Sequence, residues 1–182
     1  MNRLLLFAFG SLIVLFFSGK PLRNPGVHGF YRFFVFEGLL ALLLLNHPFW
    51  FVDPFSFLHC ISWLLLGMSI YYIVTSLHML KRYGGRRERR EMPENFDFEN
   101  TVHIVEYGLY RYVRHPMYGS LLLLGWGAFF KHLSLPAVFL VLWITFFVVV
   151  AAKVEERENR KSFGSAYTDY MHRSKMFIPR LF

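Results

Sequence analysis

Residues 135–152 read LPAVFLVLWITFFVVVAA, an apolar stretch without a single charged side chain. A helix needs about 20 such residues to cross the hydrocarbon core of a bilayer, so this stretch predicts a transmembrane helix. Only the segment Lys131–Ser134 separates it from the apolar run before it, and so short a connection predicts an antiparallel helical hairpin. The preceding apolar runs cover Leu4–Phe17, Phe30–Leu45, Phe55–Leu80 and Met117–Phe130.

The composition of the whole chain agrees with a membrane protein. Its 182 residues are 55% hydrophobic and 20% aromatic, more than a soluble domain usually carries. We therefore predict an all-α integral membrane helical bundle of about five transmembrane helices, built as one membrane domain over residues 1–182. Residues 1–80 supply three N-terminal spans, and residues 81–182 supply a ligand-binding loop, the tight hairpin and a C-terminal cytosolic helix. We expect Leu4–Phe17 to be retained as the first span, because a poor signal-peptide cleavage site follows it.

The net charge limits the classes of binding partner that we expect for the chain. A formal charge of +8 suits nucleic acid, anionic headgroups or an anionic ligand. The basic residues lie between apolar spans and not on one soluble face, so we expect membrane lipids and a lipophilic or anionic ligand as partners, and no nucleic acid. Cys60, the single cysteine, lies in an apolar run, which excludes an intrachain disulfide and a cysteine-based zinc site. The sequence has no metal-binding histidine pair, and we predict no metal.

The Lys and Arg residues predict how the chain lies in the membrane. With the N-terminus outside, eighteen of the twenty fall on the inner side, and only Arg3 and Lys131 remain outside. Such a bias is the usual mark of the cytosolic side. The interpretation is a multi-pass protein whose polar segments, residues 81–113 and 153–182, are cytosolic. We expect a prokaryotic cytoplasmic membrane as host, with the endoplasmic reticulum as the alternative.

A polar cluster precedes the fourth apolar run, where residues 108–118 read GLYRYVRHPMY. Pro116 disfavours helix at the preceding residue and suits the first turn of a helix. Arg114 and His115 should therefore lie at the N-terminus of the fourth helix, where free N–H groups and the helix dipole favour an anion. Arg114 can add a bidentate contact to a carboxylate, and nearby tyrosines offer aromatic faces to a cation or a purine.

A second polar cluster follows the fifth apolar run. Glu155 and Glu156 supply acceptors for hydroxyl or ammonium groups on the same side of the membrane. Phe163, Tyr167 and Tyr170 then recur at helical spacing and predict an amphipathic stripe that lies along the membrane or against the core. Pro179 is expected to mark the end of this helix. A ligand with a carboxylate, an ammonium, a ribose, an adenine and a sulfonium charge would use all of these groups.

The two clusters resemble the isoprenylcysteine carboxyl methyltransferase family and its phospholipid methyltransferase relatives. The resemblance covers about residues 102–179: G-x-Y-x3-RHP-x-Y over 108–118, EE-x6-FG-x2-Y-x2-Y over 155–170, and IP at 178–179. It implies an integral membrane enzyme that transfers a methyl group from S-adenosylmethionine. Residues 1–80 match only as membrane spans.

The resemblance also implies which residues enclose the cofactor. By position in the family's motifs, these are Val102, His103, Ile104, Val105, Tyr110, His115, Pro116, Met117, Tyr118 and Glu155. The prenylcysteine enzymes carry an arginine one helical turn before the first glutamate, and this chain has Ala151 there. Asn159 stands where the family usually has leucine. The methyl acceptor therefore stays open among a carboxylate, an amine and a thiol.

Two residues are candidates for a catalytic role. One is Arg114, and the other is Glu37, which lies inside the second apolar run, where an ionisable group is costly. The alternative for Glu37 is a buried hydrogen-bonded pair, with His59 or His78 as the expected partner. Two other function classes remain open on the sequence: a non-enzymatic membrane protein whose basic loops bind lipid or a partner, and a membrane reductase of the sterol-reductase kind.

Overall fold

A computed structural model describes residues 2–85 and 101–179 of the chain. The basic and acidic runs between residues 86 and 100 lie outside these ranges. Each of the five predicted apolar runs forms one helix, and a sixth helix follows near the C-terminus. The helices are α1 (Arg3–Ser18), α2 (His28–Asn46), α3 (Phe57–Tyr83), α4 (Pro116–Phe129), α5 (Leu135–Phe163) and α6 (Ser165–Arg173).

Three of these helices are long and apolar enough to cross a bilayer: α2 with the turn that follows it, α3 and α5. The other two apolar helices are shorter, with 16 residues in α1 and 14 in α4. At about 1.5 Å per residue, α4 extends for roughly 21 Å, less than the roughly 30 Å of a hydrocarbon core. The all-α membrane bundle is confirmed. Three of its helices are long enough to cross on their own, and the prediction of about five crossings stays a prediction.

The bundle is built from two long helix contacts, α2 along α5 and α3 along α4. Close approach of α2 and α5 depends on Gly38, because a Cβ built there would lie 2.9 Å from the Ile144 side chain. Small residues at such contacts are the usual means of packing helices in lipid. The core between these helices contains Val35, Leu39, Leu42, Val141, Ile144 and Val148.

The predicted hairpin of α4 and α5 is confirmed. The N-terminus of α5 is capped by Ser134, whose side chain accepts a hydrogen bond from the Ala137 N–H at 3.4 Å. On the α4 side, the Asn46 amide donates to the carbonyls of Ala128 at 2.9 Å and His132 at 3.1 Å. These bonds attach the end of α4 and the connection that follows it to the end of α2.

The chain after α5 turns back onto the residues that precede α4. Gly164, with a φ of +61°, breaks the helix between α5 and α6, a backbone conformation that glycine adopts without strain. The helix α6 ends at Arg173, so the prediction that Pro179 marks its end is wrong. It ends earlier because Lys175 leaves helical geometry to pair with Val113 in a parallel bridge. We call residues 174–177, which run beside 112–115, the C-terminal strap.

Candidate functional site

A cavity of about 290 Å³ lies at the end of the bundle that holds α6 and the strap, which we call the polar end. Its apolar wall comes from α2, α3 and α4 and includes Phe36, Ile73, Leu77, Leu80 and Leu121. Its other wall carries most of the polar side chains and comes from residues 101–118, the end of α5, and α6. On that wall lie Ile104, Val105, Tyr110, Arg114, His115, Tyr118, Glu155, Asn159, Tyr167 and Tyr170.

The two predicted polar clusters meet in this cavity. The Arg114 Nε donates to Glu156 Oε1 at 2.8 Å. The His115 ring lies between the two acids, with Nδ1 at 3.9 Å from Glu155 Oε1 and Nε2 at 3.5 Å from Glu156 Oε1. Glu156 is 5% exposed, whereas the Glu155 side chain is 30% exposed and lines the cavity. Of the two adjacent acids, Glu156 therefore supports the structure and Glu155 is available to a ligand.

The C-terminal strap fixes the backbone of the first cluster. The N–H of Arg114 donates to the Lys175 carbonyl at 2.7 Å, and that of His115 to the Met176 carbonyl at 3.1 Å. The Arg114 guanidinium also donates from Nη1 to the carbonyls of Met171 and Ser174. His115 is the N-cap residue of α4, as predicted, but makes no capping bond with its side chain. The N–H groups of Arg114 and His115 are thus bonded within the protein, and the expected attraction of an anion to the first turn of α4 stays a prediction.

Two tyrosines of α6 close the cavity from the side of the strap. Tyr167 is 4% and Tyr170 3% exposed, and the Tyr170 hydroxyl donates to the Tyr110 carbonyl at 2.6 Å. Burial, and then the Glu155 carboxylate, raise the pKa of Tyr167 above its ordinary value. Burial also raises the pKa of Tyr170. Both hydroxyls therefore stay protonated at neutral pH and act as hydrogen-bond donors beside the cavity.

Most residues predicted to enclose the cofactor lie in the cavity wall. These are Ile104, Val105, Tyr110, His115, Met117, Tyr118 and Glu155. Val102, His103 and Pro116 are outside it, and the His103 side chain is exposed. Val102 and His103 instead bond through their N–H groups to the Gly84 carbonyl, which attaches this segment to the end of α3. Their roles toward a ligand remain predictions.

The two predicted catalytic residues lie in different places. Arg114 lines the cavity, but its Nε and Nη1 are bonded to protein groups. Glu37 is not in the cavity wall; its Oε2 accepts a hydrogen bond from the Ser11 hydroxyl at 2.7 Å. The expected partner His59 bonds instead to Ser56 and to the Phe49 carbonyl. Glu37 therefore connects α1 to α2, and a catalytic role for it is not supported by its position.

Several residues of the cavity wall were not predicted as site residues from the sequence. Arg32 and Phe36 of α2 line the cavity, and Asn159 was noted only as a departure from a motif. The sequence did contain a signal for Arg32, which is a charged residue at the edge of an apolar run. Glu37 was selected as a candidate for a similar reason, since it is a charged residue inside that run. Glu158 and His28 form a buried pair: Glu158 accepts a hydrogen bond from the His28 N–H at 2.8 Å, and its second oxygen lies 2.6 Å from His28 Nδ1. The sequence contained no signal for this pair, because 130 positions separate the two residues.

The arrangement suits a ligand that is polar at one end and meets an apolar group at the other. A carboxylate and protonated hydroxyls form one wall, and the side chains of three apolar helices form the other. Sites for small molecules usually combine a mainly apolar lining with a few fixed polar groups.

Comparison with known proteins identifies a matching family and a similar protein. Residues 57–166 match the family described as phospholipid methyltransferase. A segment of 74 residues, 41% of the chain, is 36% identical to a protein of Bradyrhizobium diazoefficiens named methanethiol S-methyltransferase 2. The matched segment spans 28% of the length of that relative. The family match includes the apolar wall of α3 and α4, the segment before α4, and both acids of α5.

Proposed function

The chain belongs to the phospholipid methyltransferase family, since well over half of its residues match that family, and from this premise we propose that it transfers a methyl group from S-adenosylmethionine to a lipophilic acceptor. The observation that carries the proposal is that one cavity unites Glu155 and His115 with an apolar wall. A soluble cofactor arrives from water and a membrane-dissolved acceptor from lipid, so the reaction requires one cavity that both can enter.

The residues of the cavity fit S-adenosylmethionine. Glu155 can accept hydrogen bonds from ribose hydroxyls or from the ammonium group, and the aromatic rings of Tyr110 and Tyr118 suit a purine or a cation. When bound, the cofactor supplies an electrophilic methyl group on a sulfonium. The chain contributes orientation and a dry environment, and holding two reactants in line removes much of the barrier to such a transfer.

The acceptor decides whether a base is needed. A carboxylate arrives deprotonated, whereas a thiol or an ammonium group, whose pKa lies above neutral pH, must first lose a proton. His115, which is 3% exposed and within 4 Å of Glu155, and Glu155 itself are our candidates to accept that proton. The relative named for methanethiol makes a thiol the first acceptor to test, and the family description makes a phospholipid amine the second.

A direct assay tests the function. Detergent-purified protein is incubated with methyl-labelled S-adenosylmethionine and decanethiol, phosphatidylethanolamine or decanoate. We expect label in the extracted product of one acceptor, with an equal amount of S-adenosylhomocysteine. No transfer to any of the three classes would contradict the proposal, and oxidation of a reduced nicotinamide cofactor would identify a reductase instead.

We also propose that the polar end faces the cytosol and the N-terminus lies outside. Support comes from the bias of eighteen in twenty Lys and Arg residues toward one side. With Cys60→Ser as background, cysteines are introduced singly at exposed Asp53, between α2 and α3, and at exposed Arg111, beside the cavity. A membrane-impermeant maleimide should label the cysteine at position 53 in intact cells and the one at 111 only after lysis. The reverse pattern would overturn the orientation.

A further inference from the structure

Three residues of α5 line the cavity at successive helical turns. They are Glu155, Asn159 and Phe163. Side chains at this spacing lie on one face of a helix, one above the other, and the chain rises by about 6 Å from each to the next. This face of α5 therefore presents the cavity with a carboxylate, then an amide and then an aromatic ring, in that order toward the end of the helix.

Tyr167 of α6 packs beside this face. Its ring is 4% exposed and stacks on the ring of Phe163, with the centroids 6.4 Å apart and the planes at 22°. Its hydroxyl interacts with the Asn159 side chain and with the charge of Glu155. The Asn159 amide thus lies in the cavity wall next to a buried phenol, between the acid and the ring.

The amide of Asn159 can recognise groups that the acid before it cannot. It carries two N–H donors and a carbonyl acceptor, so it can interact with Tyr167 and bond to a ligand at the same time. Such an amide recognises adenine, because its carbonyl accepts from the 6-amino group while its N–H donates to a neighbouring ring nitrogen. The carboxylate of Glu155, an acceptor only, suits the hydroxyls of a ribose.

The order of these groups fits a nucleoside that lies along α5. In adenosine, the ribose hydroxyls and the 6-amino group of the base are separated by roughly one to two helical turns, or about 5 to 11 Å. With the ribose at Glu155, the base reaches Asn159 and the Phe163 ring. The sulfur, attached on the other side of the ribose, then points back along α5 toward the part of the apolar wall that holds Ile73 and Leu121.

We propose that Asn159 recognises the 6-amino group of the cofactor's adenine, with the ribose held at Glu155. This inference rests on the proposed function and adds to it a residue that selects the base. The family usually has leucine at this position, so the amide is a departure of this chain from the family pattern. In this orientation the base lies toward the cytosolic end of α5, and the reactive side of the cofactor faces the wall from which a lipophilic acceptor arrives.

Calorimetry with two ligands tests the proposal. S-adenosylhomocysteine is compared with its 6-deamino analogue, in which a hydrogen atom replaces the amino group of the base. We expect the wild-type protein to prefer S-adenosylhomocysteine by about tenfold or more, since the analogue leaves the Asn159 carbonyl without a partner. Asn159→Leu, which keeps the size but not the hydrogen bonds, should bind both ligands about equally, with the affinity that the wild type has for the analogue.

The analogue also serves as the internal control for folding, because an Asn159→Leu protein that binds it as the wild type does has an intact cavity. Tyr167→Phe keeps the ring and loses the hydroxyl beside the amide, so its preference should fall between those of the wild type and Asn159→Leu. Ser162→Leu, an exposed position of α5 that does not line the cavity, is the matched control and should keep the full preference.

Three results would overturn the inference and leave the proposed function standing. The wild-type protein binds S-adenosylhomocysteine without preferring it to the analogue; Asn159→Leu keeps the wild-type preference; or Asn159→Leu weakens both ligands by the same factor, as a residue that only maintains the shape of the cavity would. If the wild-type protein binds neither ligand, the proposed function is refuted and the inference with it.

Discussion

Replacing Glu155 by alanine should abolish measurable binding of S-adenosylhomocysteine in calorimetry. Glu155 is the acid that lines the cavity, and its carboxylate can accept two hydrogen bonds from hydroxyl or ammonium groups of the ligand. Hydrogen bonds to a charged group contribute about 1.5 to 3 kcal/mol each, so the loss of two corresponds to a 100-fold or larger drop in affinity. His115→Ala should weaken binding less, because the ring lies beside this acid at 3.9 Å.

The control for Glu155 is Asp169→Ala, which removes an exposed carboxylate from α6 at the same end of the bundle. It changes the net charge equally, and Asp169 does not itself line the cavity. Unchanged binding in Glu155→Ala, or an equal loss in both variants, would show that Glu155 does not contact the cofactor.

Replacing Glu156 by alanine should destabilise the protein strongly instead of acting on binding alone. Glu156 and Arg114 form a buried pair at 2.8 Å, with side-chain exposures of 7% and 10%. Removal of one partner leaves a buried charge without compensation, which typically costs about 3 to 5 kcal/mol. Because the same guanidinium bonds to the carbonyls of Met171 and Ser174, the strap should loosen as well.

Thermal unfolding in detergent and hydrogen exchange measure this effect. We expect a lower melting temperature for Glu156→Ala and faster exchange of the amides of Lys175 and Arg114, which are bonded across the strap. Glu156→Gln keeps an acceptor for Arg114 and should be milder. A melting temperature and exchange rates equal to the wild type in Glu156→Ala would mean that the pair contributes nothing to holding the strap.

Sequence patterns were sufficient for the helices of this protein. Each apolar run became a helix, and Pro116 and Ser134 started α4 and α5 as their local chemistry predicts. The juxtaposition of His115 with Glu155 also followed from the sequence, since a short hairpin brings the start of one helix and the end of the next to the same side. These features depend on neighbouring residues or on a short connection.

The unpredicted features depend on contacts between distant segments. The end of α6 at Arg173 is set by pairing with residues that precede α4, and not by Pro179. Arg32 reaches the cavity because α2 packs along α5, a contact that no local pattern encodes. Glu37 looked functional because it is a charge in an apolar run, yet the hydroxyl that it meets lies on α1, 26 positions away.

The C-terminal strap also has a consequence for biogenesis. It joins residues about 60 positions apart, with the entire hairpin of α4 and α5 between them. The ribosome makes the first partner long before the second, and the two can meet only after both hairpin helices have entered the bilayer in antiparallel order. Because the strap fixes the backbone of Arg114 and His115, this wall of the cavity can form only after the hairpin has been inserted.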